Sequence, residues 1–246
     1  SSGNAGIISV DSAQPEAMPG IWKDIPRMVL GKVAPVSLRP TYLPRFLPWF
    51  ARFLANSSEA RAETSSIAIH ALSAPALDYL LPLVRKARAD ELLKENGLLY
   101  VYETEAEFAR AREKCAFYDR RGVDYQLLDG AALLALEPSL RKDLAGGIFI
   151  ESAGHTSSPL DLSRALFALF KKQGGRFEQS EVTGFSATDD SIETVHTSES
   201  IACRNVFVTA GSWSHLLARK LGSDVPLDTE RGYHRQLPDP EIELSR

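Results

Sequence analysis

The chain has 246 residues, with 28 Lys and Arg against 32 Asp and Glu, 44% hydrophobic and 24% charged residues. That composition excludes a disordered chain, a collagen-like repeat and a disulfide scaffold, and the length suffices for one large or two small domains with proper cores. The two cysteines, Cys115 and Cys203, are too few and too far apart for a disulfide framework or a cysteine-based zinc site, and a reducing compartment is the default.

Charge is unevenly spread. Between Ile21 and Leu54 stand Lys23, Arg27, Lys32, Arg39, Arg45 and Arg52 against Asp24 alone, a local excess of +5 in a chain of net charge −4. A mildly acidic protein with one basic, apolar patch is a poor candidate for nucleic acid. No run reaches the roughly 18 uninterrupted apolar residues of a membrane-spanning helix.

In chain order, residues 1–40 read as loop around the apolar Ile7-Ile8-Ser9-Val10. Leu43, Phe46, Leu47, Phe50, Phe53 and Leu54 then recur at helical steps, with the regular helix expected from about Pro48. A second helical stretch is expected over 58–94, broken or kinked at Pro75 and Pro82. After Gly97 the pattern predicts strand Leu98 to Tyr102, then helix Glu105 to Arg121 opened by a Thr104/Glu107 capping box. Strand Tyr125 to Leu128, a short helix capped by Asp129 and strand Gly147 to Glu151 follow. A turn at Ser152 to Thr156 leads into helix Pro159 to Gln173, with Leu160, Leu162, Leu166, Phe167 and Phe170 on its apolar side.

Strands are expected at 176–179, 182–187, 191–197 and 201–209, the middle two as an antiparallel meander through Asp189-Asp190. Asn205-Val206-Phe207-Val208-Thr209 reads as a strand buried on both faces, ending at Ala210-Gly211, with Ser212 opening a helix to about Leu221. The sum is an α/β protein.

Chemistry has few places to sit. The corner Thr209-Ala210-Gly211-Ser212-Trp213 brings a strand end and a helix start together at a glycine, a geometry that suits an anionic ligand or simply a tight connection. Ser2-Gly3-Asn4-Ala5-Gly6 is a small-residue loop, able to hold a flat cofactor or to fray. Glu230-Arg231-Gly232-Tyr233-His234 offers a guanidinium suited to a carboxylate, or an exposed ion pair on a strand. His155 stands in the turn after Gly154, as a substrate contact or as a cap of its own backbone. His70, His196 and His215 lack ligand-spaced partners and read as structural or surface residues, and both cysteines read as core filler. There is no G-x-S-x-G, Walker A, H-E-x-x-H or G-x-G-x-x-G motif.

Read together, Asn4-Ala5-Gly6-Ile7-Ile8, the Gly154-His155…Pro159…Arg164-Ala165-Leu166…Gly174-Gly175-Arg176-Phe177 series, Val206 to Ser214 and Pro226 to His234 occur in one order along the whole chain. The chain resembles the FAD-dependent D-amino-acid dehydrogenases of the D-amino-acid oxidase and glycine oxidase superfamily. The resemblance implies an α+β substrate domain inserted into a partial Rossmann-like FAD-binding domain, with 1–40 and 147–228 on the flavin side and 41–146 and 229–246 on the substrate side. It also implies that the family's opening β-α-β unit, with its glycine-rich phosphate loop, and its carboxyl-terminal segment lie outside this stretch.

Carried over residue by residue, the resemblance places Gly3, Asn4, Ala5 and Gly6 along the isoalloxazine ring. Val182 would touch the adenine through its backbone, and Thr209, Ala210, Gly211, Ser212 and Trp213 would line the phosphate and ribityl side. Tyr233, with Arg231 or His234, would face the substrate, with His155 as a further candidate. The implied reaction is oxidative deamination of a D-amino acid by hydride transfer to FAD, without an obligatory acid–base residue. Family members pass electrons to a membrane carrier, so the basic, aromatic helix from Pro48 to Leu54 is expected either on an anionic inner-membrane surface of the cytoplasm or packed on the substrate domain. The alternative of another class is a non-catalytic α/β binding module that holds no flavin by itself.

Overall fold

The computed structural model describes residues 4–23, 40–188 and 191–227. These fall into two compact units, one up to Gln173 and one from Gly174 onward. The protein is of the α/β class, and every strand pairing among the described residues is antiparallel.

Two three-stranded sheets build the first unit. One runs in the order β1 (Ile7–Ile8), β6 (Gly154–Thr156), β2 (Leu93–Lys94). The other runs β3 (Leu98–Tyr102), β5 (Gly146–Ile150), β4 (Gln126–Asp129), and its central strand is buried at all five positions. Close packing demands glycine in β5: a Cβ on Gly146 would stand 2.4 Å from the Phe108 ring.

Helix α4 (Glu105–Arg121) lays Phe108, Ala111, Cys115 and Phe117 inward. It starts with the expected capping box, Thr104 Oγ1 accepting from the Glu107 N–H and the Glu107 carboxylate accepting from the Thr104 N–H. Asp129 likewise caps α5 (Gly130–Leu136) by accepting from the Ala132 N–H at 2.8 Å. Strand β3 has the predicted bounds, and Cys115 is core filler, 3% exposed.

Several expectations shift. Helix α1 (Leu43–Ala55) starts at Leu43 rather than Pro48; Pro44 sits in the first turn, where no N–H bond is owed, so Pro48 removes only one helical hydrogen bond. The stretch 58–94 is α2 (Glu59–Ser73), α3 (Ala76–Ala87), a 3-10 turn Asp90–Leu92 and β2. Pro75 breaks it as expected, Pro82 stays inside α3, and Arg88 in the left-handed region (φ 56°) ends the helix. Glu59–Ala87 spans 29 residues and, by length and composition alone, is apolar enough to cross a bilayer, although no uninterrupted apolar run announces it. Leu77 and Val84 of its second half nevertheless belong to the core, which includes Leu162 of α6 (Pro159–Lys172). On α6 the buried residues are Leu162 and Leu169, whereas Leu160, Phe167 and Phe170 are exposed, the two phenylalanines stacked on each other.

The second unit is a meander of β7 (Gly184–Ala187) and β8 (Ile192–His196), which pair as expected, and β9 (Ser200–Ala202), followed by a 3-10 turn Gly211–Trp213 and α7 (Ser214–Lys220). One expected strand is absent and one is cut short. Residues 176–179 form no ladder, and of the strand expected at 201–209 only 201–202 pair, within β9, while Phe207 is 88% exposed. A strand buried on both faces needs partner strands at its edges; among the described residues Asn205 to Thr209 pairs with none. Half-buried and exposed positions still alternate along 205–210, as they do in an extended chain.

Candidate functional site

The small-residue opening is pinned rather than frayed over its described part. Asn4 Oδ1 accepts from the Gly6 N–H at 2.8 Å, closing an Asx turn, and the Gly6 carbonyl accepts from the Thr156 N–H at 2.8 Å. Gly6 lies at φ +73°, and a Cβ there would stand 2.4 Å from the Thr156 carbonyl oxygen. Its glycine requirement therefore comes from close packing on β6. Asn4 and Ala5 are exposed.

His155 is not in a turn, and among the described residues its ring makes no hydrogen bond to its own backbone: it sits on the central strand β6, opposite Ile7 on one side and Lys94 on the other. The sheet thus brings together the opening turn and His155, which the sequence separates by about 150 positions. The signal that hides this is strand length. Two- and three-residue strands have no readable periodicity.

Behind the turn lies an arrangement that the sequence reading missed. Asp11, 2% exposed, accepts from Ser9 Oγ at 2.5 Å, from the Tyr100 hydroxyl at 3.0 Å and from the Tyr118 hydroxyl at 2.8 Å. No cation pairs with it among the described residues. Burial first, and the Asp11 carboxylate second, hold both phenols well above the usual tyrosine range. Ser73 Oγ donates to the Ser12 carbonyl at 3.1 Å, so residues 9–12 are tied to β3, α4 and α2 at once. Tyr125, whose hydroxyl donates to Asp119 at 2.9 Å, is pushed up to about 12 by that bond.

The second unit holds the other expected cofactor residues. Thr209, Ala210, Gly211, Ser212 and Trp213 are contiguous, with Gly211 at φ +57° and Trp213 69% exposed. Ser212 does not cap a helix by its side chain; its carbonyl accepts from His215 Nδ1 at 2.6 Å, and a 3-10 turn precedes the seven-residue α7. The dipole argument for an anion at this corner is therefore weak, because a seven-residue helix set back behind a 3-10 turn aligns few peptide units. Val182 is half-buried just before β7, where Lys220 Nζ of α7 bonds the Thr183 carbonyl. His196 bridges Ser186 at 2.8 Å and Ser200 at 3.4 Å on the meander, a surface role as expected. Gly3, Arg231, Tyr233 and His234, like Arg27, Lys32 and Arg39 of the basic patch, lie outside the described residues. Among the described residues no group of His, Cys, Asp and Glu is arranged to hold a metal ion.

Comparison with known proteins agrees with the fold. The family model described as FAD dependent oxidoreductase (DAO) matches residues 1–246. A D-amino-acid oxidase of Bradyrhizobium diazoefficiens is 32% identical over 97% of this chain and 57% of its own length. A D-amino acid dehydrogenase of Vibrio cholerae is 27% identical over 96% of this chain and 57% of its own. The chain thus spans a little over half the length of the curated relatives it matches. Among solved structures, glycine oxidase from Geobacillus kaustophilus superposes with a TM-score of 0.55 at 21% identity, over 90% of this chain and 48% of that one, a likeness of fold. With a family match running over every residue from 1 to 246, the chain belongs to the DAO family of FAD dependent oxidoreductases.

Proposed function

We propose that the intact protein oxidises D-amino acids to 2-oxo acids and ammonia, using FAD. The observation that carries this reading is the exposed Asn4-Ala5 turn, pinned beside His155, in a chain that the FAD oxidoreductase family matches throughout. The residues present fit the ring end of a flavin: Asn4 and Ala5 are open to solvent, small, and held by Gly6 to a rigid strand. The division into flavin-side segments 1–40 and 147–228 and substrate-side segments 41–146 and 229–246 is part of the same proposal.

FAD, when bound, supplies the hydride-accepting chemistry. The chain's own residues bind and orient. Asn4, Ala5 and Gly6 would give a flat main-chain surface for the ring. Tyr233, with Arg231 or His234, would take the substrate carboxylate and so fix the face that the α-carbon presents. Loss of the hydride from the α-carbon and of one proton from the amine to solvent leaves an imine, and water hydrolyses it to the 2-oxo acid and ammonia.

On this reading the intact protein is yellow, and an anaerobic excess of a D-amino acid bleaches its flavin absorbance. A colourless protein, or a flavin that no D-amino acid bleaches, overturns the proposal. The electron acceptor belongs to the proposal too. Helix α1 buries no residue, stacks Phe46, Trp49, Phe50 and Phe53 along one side and exposes Arg45 and Arg52, which supports docking on an anionic membrane that carries the acceptor. Arg45→Glu with Arg52→Glu is expected to weaken sedimentation with anionic vesicles at least ~10-fold, at about 1 kcal/mol per basic residue lost and like-charge repulsion added; unchanged binding discards the membrane site.

A further inference from the structure

The sheet β1–β6–β2 has two unlike faces. Leu93 and Thr156, paired in register, are each 7% exposed and close on the core. The alternate row is Ile7, His155 and Lys94, each directly opposite the next across the three strands. Opposed residues of an antiparallel pair project to one face with Cβ atoms about 5 Å apart. On this face Ile7 is 50% exposed, Lys94 exposed and His155 half-buried.

Lys94 and His155 are both without a side-chain hydrogen bond or ion pair among the described residues. Lys94 is also held rigidly. Its carbonyl would lie 2.6 Å from any Cβ on Gly154, so β2 approaches β6 as closely as a glycine permits. The row therefore runs from an apolar side chain next to the Asn4–Gly6 turn, through an imidazole, to an unpaired ammonium. Two strand spacings, about 10 Å, separate its ends.

That order suits one kind of ligand: a short apolar stem lying near the turn, with a carboxylate at its far end. We propose that Lys94, assisted by His155, binds the side-chain carboxylate of an acidic D-amino acid and so sets the specificity of the site. The inference rests on the function proposed above, and it adds a second, distal carboxylate to the substrate. Lys94 and His155 act here as binding residues and take no part in the hydride step.

The test uses the intact flavin-containing protein as wild type, Lys94→Met, Lys94→Arg and, as a control on the exposed side of α4, Lys114→Met. Calorimetric titration with glutarate and with valerate compares a distal carboxylate with a methyl group and needs no turnover. Glutarate is expected to bind wild type about tenfold more tightly than valerate, the size of one charge-assisted hydrogen bond. Lys94→Met loses that margin, Lys94→Arg keeps most of it, and Lys114→Met matches wild type. In turnover, the ratio of kcat/KM for D-glutamate over D-glutamine falls by a similar factor in Lys94→Met.

Equal binding of glutarate and valerate to wild type overturns the proposal. So does a Lys94→Met variant that weakens both ligands alike, because Lys94 would then hold the α-carboxylate or only the fold. A protein that binds glutarate through Lys94 yet oxidises no D-amino acid upholds the anion pair and overturns the proposed reaction instead.

Discussion

Asp11→Ala is expected to lower the unfolding free energy by about 3–5 kcal/mol, because a buried acceptor shared by three hydroxyls disappears and its donors stay behind. Three hydroxyls, those of Ser9, Tyr100 and Tyr118, lose their shared partner together. Water does not replace it readily, since Asp11 is 2% exposed. Asp11→Asn keeps the shape and one carbonyl oxygen but turns two donors toward the hydroxyls. Its expected cost is about 1–2 kcal/mol, a hydrogen-bond mismatch rather than a loss. Urea denaturation of the three proteins checks the order wild type, Asn, Ala; an Ala variant within 1 kcal/mol of wild type would sink the account.

The same cluster sets an alkaline limit. Both phenols ionise above their ordinary value of 10.0 in the folded chain, first because of burial and then because of Asp11. A raised value favours the protonated phenol in the folded state. Its stabilisation is therefore fully present below about pH 10, where the unfolded phenol is also protonated, and is lost as pH rises from there toward the folded value. Stability is expected to fall by up to ~1.4 kcal/mol per pH unit for each phenol above pH 10. Tyr100→Phe with Tyr118→Phe removes both phenols and flattens that slope, whatever its cost at neutral pH.

What was legible in the sequence was what local chemistry decides. The Thr104/Glu107 box, the Asp129 cap and the apolar run Leu98 to Tyr102 each carry their signal within a few residues, and each stands where it was read. The prolines misled because a proline near a helix start costs little, so α1 begins five residues before Pro48. Asn205 to Thr209 has the composition of a buried strand, yet composition does not supply the neighbouring strands that would bury it. Asp11 lies in the stretch 1–40 that reads as loop; its role depends on Tyr100 and Tyr118, 89 and 107 residues away. In the candidate site the residue types were readable, whereas the pairing of Ile7, His155 and Lys94 was not, because strands this short take their register from tertiary packing.

The second large effect is expected at Gly6→Ala, a loss of about 3 kcal/mol or more from two separable sources. A left-handed φ of +73° costs an alanine about 1–2 kcal/mol. The new methyl would also meet the Thr156 carbonyl at 2.4 Å and its Cγ2 at 3.2 Å, and relieving that overlap costs about 1–3 kcal/mol more. Gly122→Ala isolates the first source, since Gly122 has φ +67° and nothing within 4 Å of the added methyl. Its expected cost is the conformational part alone, about 1 kcal/mol. The clash at Gly6 falls on the bond that holds β1 to β6, Thr156 N–H to the Gly6 carbonyl, so relief moves the Asn4-Ala5 turn away from His155. On the proposed function, Gly6→Ala accordingly loses flavin at temperatures where circular dichroism still reports a folded chain, and Gly122→Ala does not. Flavin release that tracks global unfolding equally in both variants would show that the turn positions nothing beyond its own backbone.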